Sequence, residues 1–200
     1  YTYSAVTLLG LRNSSLVVKP VIDLPPEMKP RKRGRKGGVR YRNKQRQCKP
    51  YLPSAVIGNV QSINNKMDEL HANCQYREDY RTASILCFTE TWLTETVADS
   101  QVSVDGFTVY RGDRTKASGK KSGGGVCAYV NKRWCHPNNV TVKHRHCCQS
   151  VEILTLGLRP YYLPREFSHV LVTVVYVPPS ASANDASDIV ASHLHDLETQ

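Results

Sequence analysis

From residue 54 onward the apolar residues fall into short runs, which is the pattern of buried β-strands, and two segments show helical spacing instead. Strands are predicted at 55–60, 84–89, 107–111, 126–130, 140–143, 151–158 and 169–177. A first helix is predicted after Ser62, its N-cap, on the apolar positions Ile63, Met67 and Leu70. A closing helix, capped by Asn184 or Asp185, carries Ile189, Val190, Leu194 and Leu197. This order predicts a mixed α/β sandwich, with strands in two sheets and helices outside them.

The first 53 residues lack such a pattern. Residues 1–28 show no sustained period and contain Pro20, Pro25 and Pro26, so an irregular leader is predicted. Residues 29–53 form a basic linker that ends with two prolines and is expected to be disordered. One folded region is therefore predicted from 54 to 200.

The net charge of +10 is concentrated in the linker. Residues 1–53 hold 13 basic and 2 acidic groups, whereas residues 54–200 hold 14 basic and 15 acidic groups. A block of like charges attracts a polyanion, and nucleic acid is the obvious one. The candidate contacts are Arg31, Lys32, Arg33, Arg35 and Lys36. The same stretch is typical of a nuclear-import signal or a solubilising linker, and we expect a nuclear protein with a cytoplasmic phase.

The seven cysteines form no Cys-x-x-Cys pair. Cys87 and Cys127 lie in apolar runs, which indicates small buried thiols in a reducing compartment rather than a disulfide framework. One cluster leaves a zinc site open, but its spacing matches no common structural site, and a strand edge followed by a turn is the favoured interpretation. The cluster comprises Cys135, His136, His144, His146, Cys147 and Cys148.

The longest strongly apolar run, Val170–Val177, has eight residues. A membrane-spanning helix needs about twenty apolar residues, so we expect no membrane partner. Residue 1 is Tyr rather than Met, and no secretory signal is visible at the start. The chain is therefore expected to be a fragment or the product of an incomplete gene.

Polar side chains stand at the ends of three predicted strands. Asn59 lies near the end of the first, Glu90 directly follows the second, and Tyr176 closes the last. The carboxyl ends of strands are where an α/β sheet opens to ligands. A carboxylate and an amide oxygen are ligands that Mg²⁺ accepts, and a phenol can donate to a phosphoryl oxygen. These three residues together predict a site for a hard metal and a phosphate.

Six segments, in this order along the chain, carry a resemblance to a known family. They are GNVQSINNK at 58–66, CFTETWL at 87–93, GFTVYRGDR at 106–114, GGGV at 123–126, RPYYLPREF at 159–167 and VYVPP at 175–179. This succession resembles the N-terminal endonuclease domain of non-LTR (LINE-type) retrotransposon proteins, in the endonuclease/exonuclease/phosphatase superfamily. The resemblance covers about residues 52–200.

The resemblance implies a four-layer α/β sandwich and Mg²⁺-dependent nicking of target DNA, which primes reverse transcription of the element's own RNA. It implies that Asn59 positions the reacting groups, that Glu90 binds the metal and that Tyr176 contacts the scissile phosphate. Mn²⁺ can replace Mg²⁺, no small-molecule cofactor is expected, and DNA and the element's RNA are the expected partners. Arg111 or Arg114 is predicted to touch the DNA backbone, with a surface salt bridge as the alternative.

Two segments that the family's site needs, Gly-Asp-x-Asn and Ser-Asp-His, do not occur in these 200 residues. His193 and His195 lie in the closing helix, where a solvated face is expected rather than a substitute role. The resemblance therefore implies only the N-terminal half or so of a nuclease. We expect this chain alone to be inactive, with exposed strand edges that favour aggregation.

Three alternatives remain at this point. The chain can belong to another phosphoesterase of the same superfamily, such as a phosphoinositide phosphatase, a sphingomyelinase or a deadenylase. It can be a non-catalytic remnant of a decayed element that binds nucleic acid through its basic linker. It can also be a translated gene fragment that forms no stable protein.

Overall fold

The computed structural model describes residues 52–119 and 123–199. The predicted leader, and with it Arg31, Lys32, Arg33, Arg35 and Lys36, lies outside the described residues, as does nearly all of the linker. The strands are β1 (Ala55–Asn59), β2 (Ile85–Thr89), β3 (Phe107–Gly112), β4 (Val126–Asn131), β5 (Val140–Cys147), β6 (Glu152–Leu158) and β7 (Val170–Tyr176). The helices are α1 (Met67–Tyr76), α2 (Glu78–Thr82) and α3 (Ala183–Glu198). Short 3-10 turns lie at Asn64–Lys66, Asp99–Val102, Lys116–Ser118 and Pro137–Asn139.

The strands form two sheets. The first has the order β1-β2-β4-β3, in which β1 and β2 are parallel and the other pairs are antiparallel. A parallel pair needs a long crossover, which α1 and α2 supply. The second sheet has the order β5-β6-β7 and is antiparallel throughout. Both the parallel pair and the antiparallel run follow from the strand and helix order that the sequence predicted.

Two apolar clusters hold the layers together. One fills the space between the sheets and contains Ile85, Cys87, Leu154, Leu156 and Val174. The other lies between the first sheet and α1, where it contains Met67, Leu70, Leu86, Phe88 and Tyr129. The closing helix α3 covers the outer face of the second sheet, where His193 meets Thr155 of β6. The four-layer α/β arrangement predicted from the sequence is therefore confirmed.

Both predicted helix caps are wrong. Ser62 adopts a left-handed backbone with φ of 78° and lies in the loop beside β2. The N-cap of the 3-10 turn before α1 is Ile63, which gives no side-chain cap. At α3 the Ser182 hydroxyl accepts a hydrogen bond from the Asp185 amide, so the helix begins earlier than either predicted cap allows. Cap positions depend on local backbone angles, which the apolar spacing alone does not determine.

The solvated role predicted for His193 is also wrong, whereas His195 is exposed as predicted. Strand β5 runs four residues past its predicted end, and a register shift between Val142 and His144 turns His144 toward α3. His193 is buried there, with its ring stacked 4.5 Å from that of His144 and its Nε2 2.7 Å from the Thr155 hydroxyl. Burial lowers the pKa of His193, and the neighbouring His144 adds to this effect.

The cysteines and the zinc alternative can be judged over the described residues. Six cysteines there are free thiols: Cys74, Cys87, Cys127, Cys135, Cys147 and Cys148. No group of three or more His, Cys, Asp or Glu side chains within 52–119 and 123–199 is placed to hold a metal ion, so the zinc alternative is wrong and the strand edge is confirmed. Nor does any helix in this part of the chain have the length and apolarity needed to cross a membrane.

Candidate active site

Asn59 and Glu90 are neighbours because β1 and β2 are parallel and end at the same edge of the sheet. Asn59 is the register partner of Thr89. The chain then continues in contact, since the Ser62 amide donates to the Glu90 carbonyl over 2.9 Å. Asn59 is exposed and borders a cleft of about 170 Å³ that Lys66 and Asn73 of the helical layer also line.

Tyr176 reaches Glu90 from the other sheet. It ends β7, and its hydroxyl donates a hydrogen bond of 2.5 Å to Oε1 of Glu90, although 86 positions separate the two residues in the chain. Burial raises the pKa of Tyr176 to about 12, and the hydrogen bond to Glu90 contributes in the same direction. Tyr176 is therefore a neutral phenol at ordinary pH, able to donate but not to carry negative charge.

The backbone around Glu90 is strained. In the described part of the chain the non-glycine residues with positive φ are Gln61, Ser62, Glu90 and Trp92, and all follow the ends of β1 and β2. Such conformations cost about 1–3 kcal/mol each and persist only where surrounding contacts hold them. Here the Thr91 amide donates to the Gly125 carbonyl over 3.2 Å and the Trp92 amide donates to the Gly124 carbonyl over 2.8 Å.

A buried ion pair that the sequence did not predict supports these glycines. Arg114 donates through Nε to Glu152, and both side chains are buried. The second carboxylate oxygen of Glu152 accepts the Gly125 amide over 2.5 Å. Glu152 is also the register partner of Tyr176. The ion pair therefore links the glycine loop before β4 to the end of β7, where Tyr176 lies. In the sequence the one signal for this pair was Glu152, a charged residue within an apolar strand.

The two arginines predicted to touch DNA have protein partners in the structure. All five N–H donors of Arg111 are used, by the carboxylates of Asp99 and Asp113 and by the carbonyls of Thr94 and Val97. Its guanidinium thereby ties the loop before β3 to the loop after it. Arg114 is buried beside Glu152. A DNA contact by either residue stays a prediction, while the visible role of both is to hold loops.

Comparison with known proteins gives likenesses in structure only. No protein-family model matches the chain. No curated protein matches it either. The crystal structure of the AP endonuclease LMAP from Leishmania major is similar to it, with a TM-score of 0.49 and 17% identity over 68% of this chain and 44% of that one. A TDP2 of D. rerio, humanized by 14 mutations, has a TM-score of 0.38 and 13% identity over 72% of this chain and 53% of that one. The chain thus spans about half the length of these two proteins.

The donor set at the strand ends fits Mg²⁺. Glu90 supplies a half-buried carboxylate, and Tyr176 occupies one of its two oxygens, which leaves the other as a ligand atom. Asn59 supplies a neutral oxygen one strand away. Mg²⁺ is bound in proteins through one or two carboxylates and completes its shell with water and substrate phosphate. One carboxylate at an open edge is consistent with that mode of binding, and sulfur and imidazole ligands are not needed.

Proposed function

We propose that this chain is part of a Mg²⁺-dependent DNA endonuclease that nicks target DNA to prime reverse transcription of a non-LTR retrotransposon. The observation that carries the proposal is the hydrogen bond from Tyr176 to Glu90, because it joins the carboxylate that we propose as the metal ligand to a phenolic donor at the ends of β2 and β7. The ordered motifs that resemble the LINE-type endonuclease domain support the same activity.

Each residue has a chemical task in this proposal. Glu90 holds Mg²⁺, which when bound stabilises charge on the phosphoryl and leaving oxygens. Tyr176 stays protonated and, when substrate binds, turns its one O–H from Glu90 to a phosphoryl oxygen. Asn59 orients the phosphate from the adjacent strand. The Gly-Asp-x-Asn and Ser-Asp-His segments are not among these 200 residues, so we expect metal binding without efficient turnover from this chain alone.

The metal site is tested by titrating the full chain with Mn²⁺ and following the free ion by electron paramagnetic resonance. We expect one bound Mn²⁺ that Mg²⁺ displaces, and we expect Glu90→Gln to lose it. Glu95→Gln removes the same charge from an exposed position five residues away and should keep it. Equal Mn²⁺ binding by wild type and Glu90→Gln would contradict the proposed metal site.

The catalytic part is tested with supercoiled plasmid. The coding sequence after the codon for Gln200 is read first, and any encoded Gly-Asp-x-Asn and Ser-Asp-His segments are appended. The extended protein should nick, and Glu90→Ala should lower the rate at least about 100-fold. If neither form binds Mn²⁺, while DNA binding disappears on deleting residues 29–49, the chain is a basic nucleic-acid-binding remnant instead.

A further inference from the structure

Trp92 is an exposed aromatic residue two positions after Glu90. Its side chain is 48% exposed, whereas Trp134, the other tryptophan in the chain, is 2% exposed. Its neighbours Thr91 and Leu93 are buried. The segment is therefore anchored on both sides of Trp92 while the indole itself is turned outward. An indole contributes large apolar area when buried, so nothing in the packing of residues 52–119 and 123–199 explains its outward position.

The backbone holds Trp92 in this position at a conformational cost. Its φ is +55°, which is unusual for a bulky side chain. The hydrogen bond from its amide to the Gly124 carbonyl fixes the segment on the glycine loop. A strained residue that presents its side chain to solvent, beside the strand ends of the proposed site, points to a ligand rather than to the core.

One edge of the indole lies beside the glycine loop, near the buried Arg114. At Gly123 the position where a Cβ would stand is 3.7 Å from Nε1 of Trp92 and 3.5 Å from Nη1 of Arg114. The indole edge and the guanidinium therefore lie close to each other across a residue that has no side chain. A Cβ at position 123 would be in van der Waals contact with this edge of the ring. The exposed indole and the Glu90 carboxylate thus lie two residues apart in the chain, and the buried Arg114–Glu152 pair lies beside the glycine loop next to them.

We propose that Trp92 is a stacking platform for an unpaired nucleobase. The proposal rests on the proposed function, since that function brings a nucleic-acid backbone to Glu90 and Tyr176. Every base has a π-face, so stacking on an indole is independent of sequence. In a duplex both faces of a base are already stacked, and a base becomes available only when it is unpaired or turned out of the helix. Trp92 therefore selects a strand with an accessible base next to the phosphate at the site.

The first test uses the Trp134→Phe variant of the full chain, in which Trp92 is the sole tryptophan. Its fluorescence is titrated without metal against a dT oligomer and against an abasic deoxyribose-phosphate oligomer of equal length. The two probes carry the same charge, so the basic linker attracts both equally. We expect strong quenching by dT and little by the abasic chain. A blunt hairpin duplex should quench weakly, and an rU oligomer should quench as dT does because its bases are equally accessible.

The second test measures affinity for the dT oligomer at one fixed salt concentration. Trp92→Ala should bind about 5- to 150-fold more weakly, and Trp92→Tyr should retain most of the affinity because it keeps an aromatic face. Tyr161→Ala is the control, because that residue is also an exposed aromatic, at 46%. Its amide donates to the carbonyl of Trp134, which follows the end of β4. That end of β4 pairs with the start of β2, whereas Glu90 follows the end of β2. Tyr161→Ala should bind like wild type.

Equal quenching by the dT and abasic oligomers, or unchanged affinity in Trp92→Ala, would overturn the proposal. Its failure can be separated from failure of the proposed function. If Glu90→Gln loses Mn²⁺ binding but the quenching does not depend on the base, the proposed function stands and the stacking role of Trp92 is wrong. If the quenching depends on the base but no Mn²⁺ binds, the stacking role of Trp92 stands and the proposed metal site is wrong. Circular dichroism of each variant shows whether the fold is kept.

Discussion

Glu152 determines how firmly the glycine loop is held, because its carboxylate bonds to both Arg114 and the Gly125 amide. Removing one partner of a buried ion pair leaves a desolvated charge, which costs about 3–5 kcal/mol. Glu152→Ala should therefore lower the free energy of unfolding in urea by that amount. Asp79→Ala breaks the exposed pair between Arg77 and Asp79 and should lower the free energy of unfolding far less, because water screens exposed charges. Equal losses in the two variants would mean that Glu152 is not a buried structural charge.

The proximity of Glu90 and Tyr176 could be predicted from the sequence, whereas the residues that support them could not. Glu90 directly follows one apolar strand and Tyr176 ends another, and polar groups at strand ends are expected to lie close together. Glu152 could not be found in this way, since its partner Arg114 lies 38 positions earlier and the pairing depends on how the two sheets face each other. The left-handed backbone at Glu90 and Trp92 could not be predicted from the sequence either, because neither residue is a glycine, the residue that usually marks such a conformation.

At the level of elements, α3 is docked on the second sheet through a histidine, which predicts acid sensitivity. His193 faces His144 and His146 of β5, and its ring nitrogen is hydrogen-bonded to Thr155 of β6. The Thr155 hydroxyl is also hydrogen-bonded to Thr173 of β7. Asp196 of the same helix favours the protonated form of His193. Burial lowers the pKa of His193, so the unfolded chain binds its proton more readily. The stability that neutral His193 contributes is full above the unfolded pKa of about 6.5 and is lost as the pH falls below it.

Thermal unfolding followed by circular dichroism at pH 7.5 and pH 5.5 measures this effect. Wild type should be less stable at the lower pH, and His193→Gln should reduce the difference between the two. His195→Gln changes an exposed histidine of the same helix and should leave the difference unchanged. If His195→Gln reduces the pH difference as much as His193→Gln, then the burial of His193 is not its cause.

Elements with an apolar pattern could be predicted, and those without one could not. Strands β2, β4 and β6 are buried along nearly their whole length, and their apolar runs gave correct bounds to within one or two residues. The second half of β5 consists mainly of the polar residues 143–146, which show no strand pattern in the sequence. This segment is a strand in the structure, where α3 covers its outer face. Helix α2 has no buried residue at all, so no apolar spacing marks it.

At the scale of the whole molecule, the strand and helix order predicted the layers, and the ends of the sheets create a hazard. Over the described residues β1 is an edge strand of the first sheet and β7 is an edge strand of the second. Strand β7 packs against β2, which is the neighbour of β1. Unpaired edges offer rows of free N–H and C=O groups to another chain. On β1 the side chain of Ile57 is 77% exposed, so this edge is apolar as well as unpaired.

We therefore expect copies of this chain to associate through the β1 edge, and Ile57→Lys to prevent it. A lysine on an edge strand repels a second edge and keeps its charge in water without disturbing the buried side of β1. Light scattering after size-exclusion chromatography should show a larger monomer fraction for Ile57→Lys than for wild type at the same concentration. Tyr76→Lys introduces the same charge at a residue that is 78% exposed but ends helix α1 instead of lying in a strand. Because both variants raise the net charge equally, a gain confined to Ile57→Lys assigns association to the β1 edge, and an equal gain in Tyr76→Lys assigns it to charge alone.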